Sequence, residues 1–188
     1  MIQVLDVLGK DYKDIKESVI RTDFDEETLK SFSNEGIIAP LSEANLNDDL
    51  YFYDFKVEKH KITFVEDKVF EMICMLSEID TFNLIKKLIN DDSLTFRFYP
   101  REQLENTKWT NIDNDTEVGF TEWKVKRFEF NNSLVFDIEN LEKYGLITFY
   151  SEEFNIRIEN FFTENRTHYI FKLEKNINKI FKDNLFNN

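Results

Sequence analysis

The chain has 188 residues, 41% of them hydrophobic and 20 of them Phe, so it can bury a sizeable aromatic core; this excludes a disordered polymer despite its high charge. Its net charge of −13 excludes a surface that as a whole holds phosphate or anionic lipid. A single Cys excludes an intrachain disulfide framework.

The first residues, Met1, Ile2, Gln3, Val4, Leu5 and Asp6, lack a basic segment, and no apolar run is long enough to span a bilayer. A cytoplasmic location without membrane partners is expected. Residues 11–22 have helix-compatible spacing, with Ile15, Val19 and Ile20 on one side. Asp23 or Asp25 reads as the cap of a next helix, with Glu26 and Glu27 in its first turn and Gly36 and Pro40 beyond its end. Polar residues 41–49 read as a loop. Residues 50–60 alternate as one strand, with Tyr51, Tyr53, Phe55 and Val57 on one face, and residues 61–65 pair with it.

Residues 68–76 and 81–89 read as helices, the second with a stripe of Phe82, Ile85, Leu88 and Ile89. Cys74, within the apolar run 72–76, reads as a buried inert thiol. Residues 94–99 alternate as a strand ended by Pro100. Residues 101–115 are polar without a period and read as a long loop or a short helix plus loop. Residues 118–130 alternate, but parity changes between Phe120 and Trp123, which predicts a bulge or turn.

The organising stretch is 133–173. Leu134, Ile138 and Leu141 predict a helix, Gly145 an αL cap, and residues 146–173 a strand and a hairpin. That outline is winged-helix-like. Residues 175–186 predict a last amphipathic helix. The fold expected is α+β: a mainly antiparallel sheet with flanking helices and a winged-helix-like C-terminal third. One domain over 1–188 is expected, with a subdivision near residue 92 as the alternative.

Catalytic sets are thin. His60 and His168 are the only two His, and zinc needs three or four convergent ligands. The four Gly are scattered, so there is no phosphate loop. Adjacent carboxylates such as Asp91 and Asp92 arise by chance among 37 acids. Residues 111–122 have the length of a calcium loop, with Asn111, Asp113, Asp115 and Glu122 at ligand positions; Thr116 replaces its turn glycine and strand-like residues follow, so a polar turn entering a strand is the reading. No cofactor, metal or enzymatic activity is expected.

Charge is uneven. From Phe154 onward six Lys/Arg oppose four Asp/Glu, +2, which leaves −13 − 2 = −15 on residues 1–153. An acidic body with aromatic anchors suits docking on a basic protein. The partner-binding candidates are Asp23, Asp25, Glu26, Glu27, Asp48, Asp49, Asp113, Asp115, Glu117 and Trp109. Abundant Phe, Asn, Ile and Lys fit an AT-rich coding source, of which phage-borne genes are one kind. The function expected is a non-catalytic acidic binding protein: an immunity or antidote protein, or a phage anti-defence inhibitor, docking as monomer or homodimer on a basic toxin or defence nuclease. The alternative is a winged-helix-like regulatory or phage-defence component that contacts nucleic acid through Arg157, Arg166 and Lys172.

Overall fold

The computed structural model describes residues 2–24, 41–101, 104–113, 118–125, 135–163 and 166–176, with side chains left out at 41, 106–113, 118–125, 161–163 and 166–168. The strands are β1 (Ile2–Gln3), β2 (Val19–Asp23), β3 (Leu41–Leu46), β4 (Leu50–Phe52), β5 (Phe55–Lys56), β6 (Lys59–Val65) and β7 (Lys68–Met75), then β8 (Thr95–Pro100), β9 (Leu104–Asp113), β10 (Val118–Val125), β11 (Tyr144–Tyr150), β12 (Phe154–Thr163) and β13 (Arg166–Lys175). The helices are α1 (Val4–Val7), α2 (Tyr12–Ile15) and α3 (Glu78–Ile89), with a 3₁₀ helix at Ile138–Lys143. None of the described helices is long and apolar enough to cross a membrane.

Eight strands form one antiparallel sheet in the order β2-β3-β6-β7-β13-β12-β11-β8. Strands from either side of residue 92 share it, because β7 pairs with β13. Directly opposed residues share a face of the pleat. One row, Ile62, Met72, Leu173, Ile156, Phe149 and Phe96, is apolar. It packs in one core with Val4 and Val7 of α1, Leu84, Ile85 and Leu88 of α3, and Leu50 and Phe52 of β4. An aromatic group closes the far end, with Phe96–Phe149 ring centroids at 5.1 Å and Phe136–Tyr144 at 4.8 Å.

The opposite face carries the next row: Lys61, Ile73, Lys172, Arg157, Thr148 and Arg97. The β9–β10 ribbon packs on β12 and on β6. Because α3 lies over β13 on the apolar face, a ribbon spanning β12 to β6 lies over the charged one. Ile73, Leu146 and Ile170 are buried there, outside the main core. Their charged neighbours are ion-paired: across strands Lys172 with Glu71 at 2.9 Å and Lys61 with Glu43, and along one strand Lys172 with Glu174 at 3.4 Å and Arg157 with Glu159 at 3.0 Å.

The fold is therefore mostly β, and the expected helix-flanked α+β winged helix is wrong. The organising helix is where it fails. Residues 138–143 form a 3₁₀ helix broken at Asn140 (φ −129°, ψ 55°). Gly145 lies inside β11 and is buried, not at an αL cap. A Cβ on it would meet Leu104 Cδ1 at 2.5 Å, so the glycine permits a close approach instead.

Residues 68–75 of the expected helix are strand β7 because the sheet buries both faces around Val69, Met72, Ile73 and Cys74, which erases alternation. Residues 41–46 are strand β3 rather than loop, with Ser42, Ala44 and Leu46 buried between polar residues. Residues 104–113 are strand β9, not loop. The expected strand 50–60 breaks at Tyr53, whose φ of 54° turns β4 back onto β5. The first expected helix shrinks to α2, and Val19 and Ile20 enter β2. Asp23 ends that strand and caps no helix there. The helix expected to follow it, and residues 177–186 of the last one, lie outside the described residues.

Three expectations hold. Helix α3 forms, capped by Ser77, whose Oγ accepts from Asp80 N at 3.1 Å. β8 ends at Pro100 on a sheet edge. The β9–β10 register shifts between Glu122 and Trp123, where the parity change predicts a bulge.

Candidate partner-binding groove

The sequence-named acids do not converge. Asp23 ends β2 opposite Ser42, while Val19 at the other end of β2 faces Leu46. Asp48 and Asp49 follow Leu46, so β2, roughly 13 Å long, separates them from Asp23. Asp23 lies 3.6 Å from Arg21, and Asp49 pairs with Lys56 at 2.7 Å. The Asp49 hydrogen bond and charge hold the Lys56 ammonium above its ordinary range. Asp25, Glu26, Glu27, Asp115 and Glu117 lie outside the described residues. Trp109 and Asp113 are in β9, opposite Thr121 and Val118 of β10. The calcium-loop stretch is flanked by these two strands rather than by helices.

Of the basic C-terminal residues, Arg157 and Lys172 hold carboxylates as above, and Lys175 lies 3.6 Å from Glu153. His60 is structural: its Nε2 accepts from Leu46 N at 2.8 Å, and burial lowers its pKa. Cys74 is fully buried, and burial pushes its thiol far up, as an inert role requires. Among the described residues no group of three or more His, Cys, Asp and Glu could hold a metal.

A groove of about 320 Å³ forms elsewhere, between α3, the 3₁₀ helix and β13. Glu78, Ile79, Phe82 and Asn83 make one wall, on one side of α3 through its first two turns. Ile138, Glu139, Leu141 and Glu142 make the other, and Tyr169 of β13 lies between. The second wall is firmly built. Asp137 accepts from Glu139 N at 3.2 Å, Asn140 Nδ2 at 2.6 Å and Lys143 Nζ at 3.2 Å. The Asn140 hydrogen bond, with Lys143 next, lowers the Asp137 carboxyl pKa. Arg101 Nε donates to Glu142 O at 3.0 Å, and its Nη2 to Asn160 Oδ1 at 2.6 Å, which ties this wall to β12.

The chemistry is one-sided. Glu78, Glu139 and Glu142 have no ion-pair partner among the described residues. Ile79 is 75% exposed at the lip. Tyr169 is only 9% exposed, yet its hydroxyl makes no hydrogen bond among the described residues. Burial first, then Glu142 and Glu78, push that phenol up to about 12 against the opposing charge of Arg101. Residues 78–83 and 138–142 and Tyr169 come from three distant segments, so no local spacing in the sequence marks them as one site. The exposed Ile79 beside Glu78 is the only local sign, and it is legible only once α3 is oriented.

No family model matches the chain, and neither a curated protein nor a solved structure matches it.

Proposed function

We propose that this chain is a non-catalytic acidic binding protein, acting in the cytoplasm, that docks on a basic protein. The observation that carries the reading is the groove rimmed by Glu78, Glu139 and Glu142, carboxylates without cationic partners among the described residues, over an apolar lining. Unpaired surface acids steer a basic partner into encounter, and apolar contacts slow its release. The net charge of −13 supports the same partner class. A toxin or defence nuclease fits, because an enzyme that holds nucleic acid needs a cationic surface. An immunity, antidote or anti-defence inhibitor would mask that surface. Nucleic-acid contact through Arg157 and Lys172 is not favoured, since both already hold carboxylates.

The test is affinity capture from the protein's native cells at low salt, followed by elution in salt. A stoichiometric basic protein whose association slows steeply with ionic strength is the expected result. Recovery of nucleic acid alone, or of a partner indifferent to salt, overturns the reading.

A further inference from the structure

We propose that the groove between α3 and the 3₁₀ helix seats one arginine or lysine side chain of a partner protein, its stem against Phe82, Ile138 and Leu141, its charge among Glu78, Glu139 and Glu142, and its N–H donating to the Tyr169 hydroxyl. This rests on the reading of an acidic protein that docks on a basic one, and assigns the anchor.

Two independent features point to such an occupant. The first is the charge: three carboxylates from two elements face one opening with no cation of their own among the described residues. Lys143 is taken up by Asp137, Arg101 by Glu142 O and Asn160, and Lys86 stands over the Phe82 ring at 4.3 Å. The second is Tyr169. Its side chain is only 9% exposed, yet its hydroxyl makes no hydrogen bond among the described residues and its oxygen is left open at the groove rather than sealed in the core. Half enclosed and beside Glu142 and Glu78, with Arg101 opposing, the phenol stays protonated and can accept from a donor. A cation with an alkyl stem satisfies both features and also covers Ile79, Phe82, Ile138 and Leu141. Ile79, exposed at the lip, gives the residue beside the cation an apolar contact that a free polyamine cannot use. An anion is repelled, and an uncharged apolar side chain leaves the carboxylates and the phenol unanswered.

The experiment is an amide-resolved NMR titration of the intact chain with Nα-acetyl-arginine amide and Nα-acetyl-lysine amide at matched ionic strength. Nα-acetyl-leucine amide and spermidine serve as comparisons. Saturable shifts confined to Ile79, Asn83, Ile138, Glu139, Glu142 and Tyr169 are expected with the cationic amides. Tyr169→Phe retains the buried ring and should weaken binding about tenfold, the value of a charge-assisted hydrogen bond. Glu142→Gln should weaken it in the same direction with the fold intact. Diffuse shifts that include Asp48 and Asp49, unchanged binding in both variants, or a saturable response to spermidine alone overturns the proposal. Capture of the basic partner is repeated with both variants. If capture is undiminished, the groove is not the seat and the docking reading stands. If the wild-type chain captures no basic protein, the docking reading falls, and the partner assigned here falls with it.

Discussion

At the scale of single residues, Gly145 shows how one position carries opposite readings. In sequence it follows a 3.6-residue apolar pattern and looks like a helix stop. In the fold it is a buried strand residue against which Leu104 packs, with 2.5 Å left for a Cβ. The absent side chain matters, not left-handed freedom. Gly145→Ala should therefore cost about 1–3 kcal/mol by overpacking. Leu104→Ala relieves the clash, so the double variant should lose less than the sum of the singles in denaturant titration. Strict additivity would show that the two residues do not share this contact. Cys74 was legible from its neighbours, since a lone Cys in an apolar run is most simply a small buried hydrophobe. Tyr169 was not legible, because only the fold places its hydroxyl beside Glu78 and Glu142.

At the scale of elements, pairing decides what local pattern leaves open. Residues 68–75 and 41–46 conceal their strands in the sequence for opposite reasons. The first is too apolar to alternate, and the second is too polar to look buried. Both become strands because β6 lies between them and its hydrogen-bonding groups on either side need partners. His60 extends that pairing. The β3–β6 register runs to Ala44 opposite Ile62, and the imidazole then accepts the Leu46 N–H directly. This acceptor exists only while the ring is neutral. Burial lowers the His60 pKa in the folded state, whereas the unfolded chain binds the proton near its ordinary value of about 6.5. The stability it contributes is thus whole above that value and is lost as pH falls through the folded-state pKa. In thermal melts, the advantage of wild type over His60→Gln should shrink as the pH is lowered from about 7 to about 5. A constant difference across that range would show that the ring does not act as an acceptor.

At the scale of the whole molecule, the eight-stranded sheet has two unlike faces. One packs helices on an apolar core, and the other carries a charged row beneath the β9–β10 ribbon. Lys172 is central to that row, with a side chain 12% exposed and Glu71 and Glu174 within 3.4 Å. Lys172→Met removes the cation that Glu71 and Glu174 share and should cost about 3 kcal/mol, whereas Lys172→Met combined with Glu71→Leu should recover part of it. Chemical denaturation measures both, and a silent Lys172→Met would mean that the row is effectively solvated. By itself the sequence determined the size of the aromatic core, the acidic surface, α3, the C-terminal hairpin and the parity slip in β10. Those follow from composition and from periods that span a few neighbouring residues. Only the tertiary structure decided that the protein is mainly one β-sheet, that the stretch before Gly145 is a short 3₁₀ helix, and that Glu78, Glu139, Glu142 and Tyr169 share a groove. Strand order, two-sided burial and the meeting of distant segments are set by hydrogen bonds and packing between residues far apart in the chain, and no local spacing records them.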